Sequence, residues 1–174
     1  MSTALPRPAA LPHPRVAPAP PVRTARPDEA AALAALSRPF VRSGALRDRP
    51  VSLYTARAAD FLVLEAADGT LDGCVGLRVY PGDVGRDTCE RPGVVYNFCV
   101  AAHRQGSGAG ASLLRAVLAT ARAHSLDALF TATTTSAGLF LRYGFTRTTA
   151  RQAPPTWADS LDPRRGAQVL VRTW

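Results

Sequence analysis

The sequence contains no lysine, so arginine supplies all of its strongly basic side chains, and aromatic residues make up only 7%. The absence of lysine excludes a P-loop, whose GxxxxGK[ST] motif needs that side chain for the terminal phosphates. The arginines are scattered, and few aromatic rings lie among them as platforms for base stacking. We therefore expect no nucleic-acid partner. The net charge of +8 fits either a solvated surface or attraction for phosphates and carboxylates.

Cysteine is also scarce, since only Cys74, Cys89 and Cys99 occur and no two of them form a CxxC pair. This number and spacing argue against a disulfide framework and against a zinc site, so we expect reduced thiols and no metal. No apolar run approaches the roughly 18 residues of a membrane span, and the N-terminus lacks the pattern of a secretory signal. We expect a cytoplasmic protein without a membrane partner.

Two regions of different composition divide the chain. Residues 1–21 consist largely of proline and alanine and are predicted to form a disordered tail. Residues 22–174 have a length that suits one domain. In this domain the apolar patterns run in the order strand, helix, three strands, helix, strand, helix, strand. That order predicts an α/β fold with a mixed sheet flanked by helices.

Local patterns place the main elements of this domain. Asp28 is the expected N-cap of the first helix. Residues 61–66 and 73–80 read as the strands of a hairpin whose turn contains Asp68 and Gly69. The run "VVYNFCV" is a strand, a helix extends from about residue 108 to 124, and "ALFTATTT" and "GAQVLVRTW" are later strands.

A loop almost bare of side chains, "QGSGAG" at residues 105–110, lies between the fourth strand and the next helix. Small residues allow backbone N–H groups to approach a ligand closely, and the helix start adds partial positive charge and unpaired donors. The arrangement favours an anion, best a diphosphate, and each bond to a charged oxygen contributes about 1.5 to 3 kcal/mol. A tight turn with close packing is the alternative explanation. The glycine spacing differs from the dinucleotide-binding GxGxxG.

The spacing of Val100, Gln105, Gly108 and Gly110 resembles the coenzyme A pyrophosphate loop of the GNAT-type N-acetyltransferase superfamily. Farther along, "AGLFLRYGF" resembles the "AxxFYxxxGF" segment of that superfamily. The resemblance extends from Val22 to the C-terminus in the same element order. It implies a single GNAT-like domain, with a central sheet splayed between strands 4 and 5 and acetyl-CoA as the cofactor in the gap.

The resemblance also implies the reaction, which is direct attack of a primary amine on the thioester in a ternary complex. A backbone N–H near residues 98–100 would stabilise the charge that develops on the thioester oxygen. Because direct transfer needs no acyl-enzyme, the Cys99 thiol is expected to be a small core group. The expected cofactor-binding residues are Phe98, Cys99, Val100, Gln105, Gly106, Ser107, Gly108, Ala109, Gly110, Ala111 and Phe140.

The usual acid and base of this superfamily are missing. Val94 stands where many members have a glutamate base, and Phe140 stands where many have a tyrosine acid. Tyr96 and Tyr143 are the candidate catalytic substitutes, although each fits a packed aromatic equally well. Three acids before the fourth strand could act through water or be solvated: Asp83, Asp87 and Glu90.

Four segments carry a narrower similarity, to the short bacterial N-acetylglutamate synthases: "SRPFVRSGALRDRP", "FLVLEAADGTLDGCVGLRVYP", "LFTATTTSAGLFLRYGF" and "RRGAQVLVRTW". By this match Phe140 is the expected family residue, and Arg165 falls on the first arginine of a late motif, where a guanidinium suits a carboxylate. Thr135 and Gly166 stand where that subfamily has arginine, which should weaken selection for a dicarboxylate. The expected substrate-binding residues are Arg42, Asn97, Thr135 and Arg165.

The similarity implies a small-molecule amine acceptor of amino-acid type, and the chain is compatible with a homodimer. Two other functions stay open. Acetylation of a protein or peptide N-terminus would need a long open groove, rather than one capped by "RPFVRSGALRDRP". A non-catalytic coenzyme A binder with a regulatory role would explain the loss of the usual acid and base.

Overall fold

Seven strands form one sheet in the computed structural model, which describes residues 22–81, 91–135 and 137–174. In chain order the strands are β1 (Val22–Thr24), β2 (Phe61–Glu65), β3 (Leu71–Val79), β4 (Pro92–Val100), β5 (Ala128–Thr133), β6 (Thr146–Thr148) and β7 (Gln168–Thr173). Across the sheet they lie in the order β1-β2-β3-β4-β5-β7-β6. The tail predicted for residues 1–21 lies outside the described residues and stays a prediction.

The sheet is antiparallel except between β4 and β5, which run parallel. The β2–β3 hairpin turns where the sequence predicts: Gly69 has φ +85°, and the Asp68 carboxylate accepts hydrogen bonds from the Thr70 N–H and hydroxyl at 3.0 and 2.6 Å. Such a side-chain-to-backbone bond fixes a tight turn, and glycine takes the left-handed position without steric cost. The predicted mixed α/β sheet is confirmed.

The two parallel strands separate halfway along their length. Their pairing begins at Pro92 opposite Ala128 and ends at Val95 opposite Thr131. At that last pair the Thr131 hydroxyl donates a hydrogen bond to the Val95 carbonyl at 3.0 Å. Strand β4 then continues to Val100, away from β5. A gap therefore opens in the middle of the sheet, as the resemblance implied.

Helices cover both faces of the sheet: α1 (Ala30–Arg42), α2 (Val51–Ala56), α3 (Ala109–Ala123), α4 (Ala137–Arg142) and α5 (Pro155–Ala158). On one face α3 buries Leu113 and Val117, one turn apart, against the sheet. On the other face Leu33 of α1 and Tyr54 of α2 pack on β2 and β3, and Trp157 of α5 packs near Phe130. The sheet is thus the middle layer of three.

Three short elements are absent from the order that the sequence predicts. Helix α2, strand β6 and helix α5 have six residues or fewer, too few for a period to emerge. The expected N-cap at Asp28 is also displaced, because a 3₁₀ turn precedes α1 and Glu29 is the N-cap residue, without a side-chain bond to α1. The Glu29 carboxylate accepts the Arg26 N–H at 2.7 Å and two bonds from the Arg23 guanidinium. No helix in the described ranges is long and apolar enough to cross a bilayer.

Candidate functional site

Two cavities, each of about 470 Å³, meet where β4 and β5 separate. We call one the loop-side cavity, because Gln105, Gly106 and Gly110 line it. We call the other the arginine-lined cavity. The two share the side chains of Tyr96 and Ala132, one from each of the diverging strands. Ligands in the two cavities would therefore meet at the gap.

The bare loop leaves its backbone open toward the loop-side cavity. Gly106 and Gly108 have φ +78° and +87°, and no atom of the protein lies within 4 Å of where a Cβ would stand on either residue. Gly108 is the N-cap of α3 and supplies no side-chain cap, so the unpaired N–H groups of the first turn remain for another acceptor. This geometry suits an anion at the start of a fifteen-residue helix.

A buried carboxylate that the sequence reading missed anchors this loop. Asp72, 3% exposed at the start of β3, has one oxygen 2.9 Å from His103 Nε2 and the other 3.1 Å from Arg104 Nε. Gln105 then donates from Nε2 to the Val100 carbonyl at 3.1 Å. These contacts tie the loop to both β3 and β4. The acid was missed because it reads as an ordinary turn residue in "DGTLDG".

The other predicted cofactor residues divide into two groups. Phe98, Cys99, Val100 and Phe140 line the loop-side cavity, and the Phe98 and Phe140 rings meet edge-on with centroids 5.5 Å apart. Four others belong to the loop or the first turn of α3 without lining the cavity through their side chains: Ser107, Gly108, Ala109 and Ala111. Any contribution of this second group must come from the backbone.

A bulge in β4 turns Asn97 inward. The register of β3 against β4 shifts between Cys74 and Gly76, and Asn97 opposite this shift has φ +51°. Its side chain is 3% exposed, donates from Nδ2 to Ser37 Oγ at 2.9 Å, and accepts at Oδ1 from Arg49 and Tyr54 at 3.1 and 3.3 Å. Asn97 lines both cavities, so its predicted contact with the substrate stays a prediction, but the side chain already anchors the bulge. Its polar atoms are occupied by protein.

Arginine dominates the second cavity. Its lining includes Arg47, Arg49, Arg57, Arg78 and Arg165. Burial lowers the pKa of the Arg49 guanidinium, which lies 5.4 Å from the centre of the Tyr96 ring and donates to the Arg47 carbonyl and to Asn97. In the described ranges Arg49 forms no ion pair, so its charge is held only by neutral oxygens. A half-buried cation of this kind favours an anionic ligand.

Tyr96, the first catalytic candidate, lines both cavities. Its ring lies flat on Gly76, where a Cβ would be 2.6 Å from the ring atoms, and its hydroxyl donates to Asp60 Oδ2 at 3.3 Å. Burial, and then the negative charge of Asp60, raise the pKa of Tyr96 well above its usual range. Tyr96 is therefore a neutral phenol at physiological pH and not a phenolate base. Arg57 lies 3.8 Å from the same Asp60 oxygen.

Among the predicted catalytic and substrate-binding residues, two lie outside both cavities. Tyr143 directly follows α4, and its hydroxyl accepts a hydrogen bond from Arg115 of α3 at 3.1 Å. Arg42 ends α1 and is exposed. The structure thus gives Tyr143 a packing contact instead of an acid's position, and it gives Arg42 no contact with the cavities.

Thr135 and Arg165, like Asn97, line the cavities. Thr135 lines the loop-side cavity, and Arg165 lines the arginine-lined cavity, with Nη2 donating to the Gly44 carbonyl at 2.6 Å. This bond joins the segment after α5 to the loop after α1 across the cavity mouth. The candidate bases Asp83, Asp87 and Glu90 lie outside the described residues. Among the described residues no group of three or more His, Cys, Asp or Glu side chains could hold a metal ion.

Sequence comparison finds the family described as "Acetyltransferase (GNAT) domain" in residues 57–147. A curated relative, an amino-acid acetyltransferase of Ralstonia nicotianae, is 33% identical over 146 residues, which cover 83% of this chain and 30% of the relative. The chain therefore spans about a third of that protein.

Two solved structures resemble the fold. An N-acetylglutamate synthase from Neisseria gonorrhoeae, complexed with coenzyme A and N-acetyl-glutamate, superposes with a TM-score of 0.76 at 27% identity, covering 88% of this chain and 34% of that one. A Mycobacterium tuberculosis protein, in complex with CoA and NLQ, superposes with a TM-score of 0.71 at 23% identity, covering 89% of this chain and 99% of that one. The second likeness concerns the fold alone.

Proposed function

Because the chain belongs to the GNAT acetyltransferase family, we propose that it transfers the acetyl group of acetyl-CoA to the amine of a small amino acid. The observation that carries this proposal is Arg49, a half-buried cation without an ion-pair partner in the described ranges, set in the cavity beside the sheet gap. A guanidinium group such as that of Arg49 can bind a carboxylate of the acceptor through charge-assisted hydrogen bonds. The relatives described as an amino-acid acetyltransferase and an N-acetylglutamate synthase act on ligands of the same class.

The loop-side cavity fits coenzyme A. Gly106 and Gly108 leave room for a diphosphate beside the free N–H groups of α3. Asp72 holds the start of the loop in place through its contact with His103. The β4 edge beyond Val95, unpaired with β5, offers main-chain groups to an extended chain such as pantetheine. When bound, acetyl-CoA supplies the thioester carbonyl that the amine attacks.

The arginine-lined cavity also assists the chemistry by lowering the cost of a neutral amine. An ammonium group with a pKa of about 10.4 costs about 4.6 kcal/mol to deprotonate at pH 7, and each unit of pKa depression reduces this by about 1.4 kcal/mol. Five arginines and one carboxylate, Asp162, line this cavity, and the excess of positive charge disfavours a further cation there. An acceptor amine in this cavity therefore needs less help from a base than an amine in bulk water does. The absence of a glutamate base at the position of Val94 slows the reaction correspondingly less.

Tyr96 and Asp60 form the proton route of this proposal. The Tyr96 phenol lies between the two cavities and donates to Asp60, so it can pass a proton from the amine to the carboxylate without itself becoming a lasting anion. The backbone at residues 98–100 is the proposed partner of the thioester oxygen. Arg165 is the proposed second carboxylate contact, since it lines the same cavity as Arg49.

A panel of acceptors tests the proposal. The protein is incubated with acetyl-CoA and, separately, with free amino acids, their α-carboxamides, polyamines and short peptides, and release of the coenzyme A thiol is followed. We expect turnover with amino acids and an at least tenfold lower rate with the matching carboxamides. A factor of about ten corresponds to the loss of one charge-assisted hydrogen bond. Glutamate is one member of the panel, because Thr135 and Gly166 replace arginines expected for a dicarboxylate.

Other outcomes would overturn the proposal. Preference for a peptide would contradict the capped cavity mouth, where Arg165 bonds to Gly44. Binding of coenzyme A without turnover of any acceptor would mean that the chain is a binder and not an enzyme. Equal rates with amino acids and carboxamides would remove the role assigned to Arg49.

A further inference from the structure

Two buried thiols face each other across the β3–β4 ladder. Cys74 and Cys99 are directly opposed in the register, are 0% and 2% exposed, and have sulfur atoms 3.5 Å apart. Opposed residues in antiparallel strands have Cα atoms about 4.5 to 5.5 Å apart, within the range that disulfides accept. Closing the bond needs a sulfur–sulfur approach to about 2.05 Å, which side-chain rotation supplies.

The surroundings make one of these thiols the more reactive. The hydrogen bond with Cys74 lowers the pKa of Cys99 and raises that of Cys74, so Cys99 is the member of the pair that ionises first. Ser37 Oγ, 3.9 Å from the Cys99 sulfur, lies beside it. Cys99 also lines the loop-side cavity, which gives a small oxidant a route to the sulfur when the cavity is empty.

We propose that Cys74 and Cys99 are a modification site, a dithiol that a hydroperoxide converts to an intramolecular disulfide. The Cys99 thiolate attacks the terminal peroxide oxygen, the O–O bond breaks, and Cys99 becomes a sulfenic acid while the alcohol or water leaves. The Cys74 sulfur then attacks the sulfenic sulfur, an S–S bond forms, and water leaves with the Cys74 proton. In total two thiols are oxidised and one peroxide is reduced.

The disulfide acts on the acceptor side through Asn97. The Cys74 thiol donates to the Asn97 carbonyl and its sulfur accepts from Asn97 Nδ2, each at 3.6 Å, and oxidation removes the donor and moves the sulfur. Asn97 in turn holds the Arg49 guanidinium. The expected effect is a rise of about three- to tenfold in the acceptor KM, equivalent to one neutral hydrogen bond. This second effect rests on the proposed function, whereas the disulfide itself does not.

The test uses the full chain with Cys89→Ser, which leaves only the opposed pair. After treatment with hydrogen peroxide, free thiols are blocked and the protein is digested with trypsin. Residues 58–78 carry Cys74, and residues 87–104 carry Cys99, because trypsin does not cleave between Arg91 and Pro92. We expect these two peptides to be linked, with a loss of about 2 Da for the two hydrogens, and dithiothreitol to separate them. Acetyl-CoA should slow the linkage, since it would fill the cavity at Cys99.

Three results would each decide a separate point. Sulfinic or sulfonic acid at Cys99 without linkage, or no oxidation at peroxide levels that oxidise glutathione, would overturn the site. Linkage that acetyl-CoA does not slow would overturn the cavity as the route of entry. Linkage with an unchanged acceptor KM would support the site and contradict the coupling through Asn97. The additional variant Cys74→Ala is the control that should retain a free Cys99 thiol or show its oxygen adducts only.

Discussion

Replacing Arg49 by methionine removes the guanidinium and retains much of the aliphatic bulk beside Tyr96. Asn97 Oδ1 keeps the hydrogen bond from the Tyr54 hydroxyl at 3.3 Å, so the β4 bulge stays anchored. The substitution thus isolates the charge in the arginine-lined cavity. If that charge holds the acceptor carboxylate, its loss costs about 1.5 to 3 kcal/mol, which is about a 10- to 150-fold fall in kcat/KM for the acceptor.

Initial rates over a matrix of acceptor and acetyl-CoA concentrations measure this effect. The KM for acetyl-CoA should not change, because Arg49 does not line the loop-side cavity. The α-carboxamide of the same amino acid supplies a second comparison: wild-type protein should discriminate against it, and Arg49→Met should discriminate much less. Arg38→Met is the matched control, since Arg38 is exposed on α1 and lines neither cavity.

One pattern of results would refute the reasoning. An unchanged acceptor KM and an unchanged ratio of amino acid to carboxamide, in an Arg49→Met protein with the melting temperature of the wild type, would mean that this guanidinium supports the fold and does not touch the acceptor. Arg49→Lys should then also be neutral, whereas a carboxylate contact predicts an intermediate loss, because a lysine keeps the charge without the planar pair of donors.

Three further perturbations test other parts of the molecule. Gly108→Val should weaken coenzyme A binding about 5- to 30-fold by calorimetry (about 1 to 2 kcal/mol from the left-handed backbone alone), whereas Gly138→Ala, at an open position on α4, should leave it unchanged. Tyr96→Phe should lower kcat without moving the acid limb of kcat/KM against pH, because the raised pKa of Tyr96 keeps the phenol neutral; a moved limb would mean that it titrates. Glu29→Gln should lower the unfolding free energy by about 2 to 3 kcal/mol at pH 7. Since the Arg23 guanidinium lowers the pKa of Glu29 from 4.5 to about 2, the difference should fade in denaturant melts as pH drops through that window, and a constant difference would exclude the ion pair as its cause.

The sequence predicts the long elements and the anion loop well. Helix α3 has a regular apolar face and a glycine N-cap, and the β2–β3 hairpin has a turn with a clear local chemistry, so both follow from nearby residues. The gap between β4 and β5 has no local pattern of its own. It was predicted only through the resemblance to a known superfamily.

The acceptor side is harder to predict because residues from distant segments build it. Arg49 follows "RD" in an irregular loop, and its burial depends on Asn97, which faces inward because of a bulge that no spacing in β4 announces. The same bulge sets the register that brings Cys74 opposite Cys99. Tyr143, by contrast, lies in the turn directly after the six-residue helix α4, where no helical period gives the direction of its side chain, and its hydroxyl meets Arg115.

The way in which β4 meets β5 also has a mechanical consequence. Only the pairs from Pro92–Ala128 to Val95–Thr131 join the half of the sheet that contains β1 to β4 with the half that contains β5 to β7. One short run of parallel pairing therefore joins the two halves of the sheet, and α3 packs mainly on the half that contains β1 to β4. A ligand lying in the gap would contact both halves of the sheet at once and hold them at a fixed separation. The angle between the two halves of the sheet, rather than any single loop, then sets the width of the gap in which the reacting groups meet.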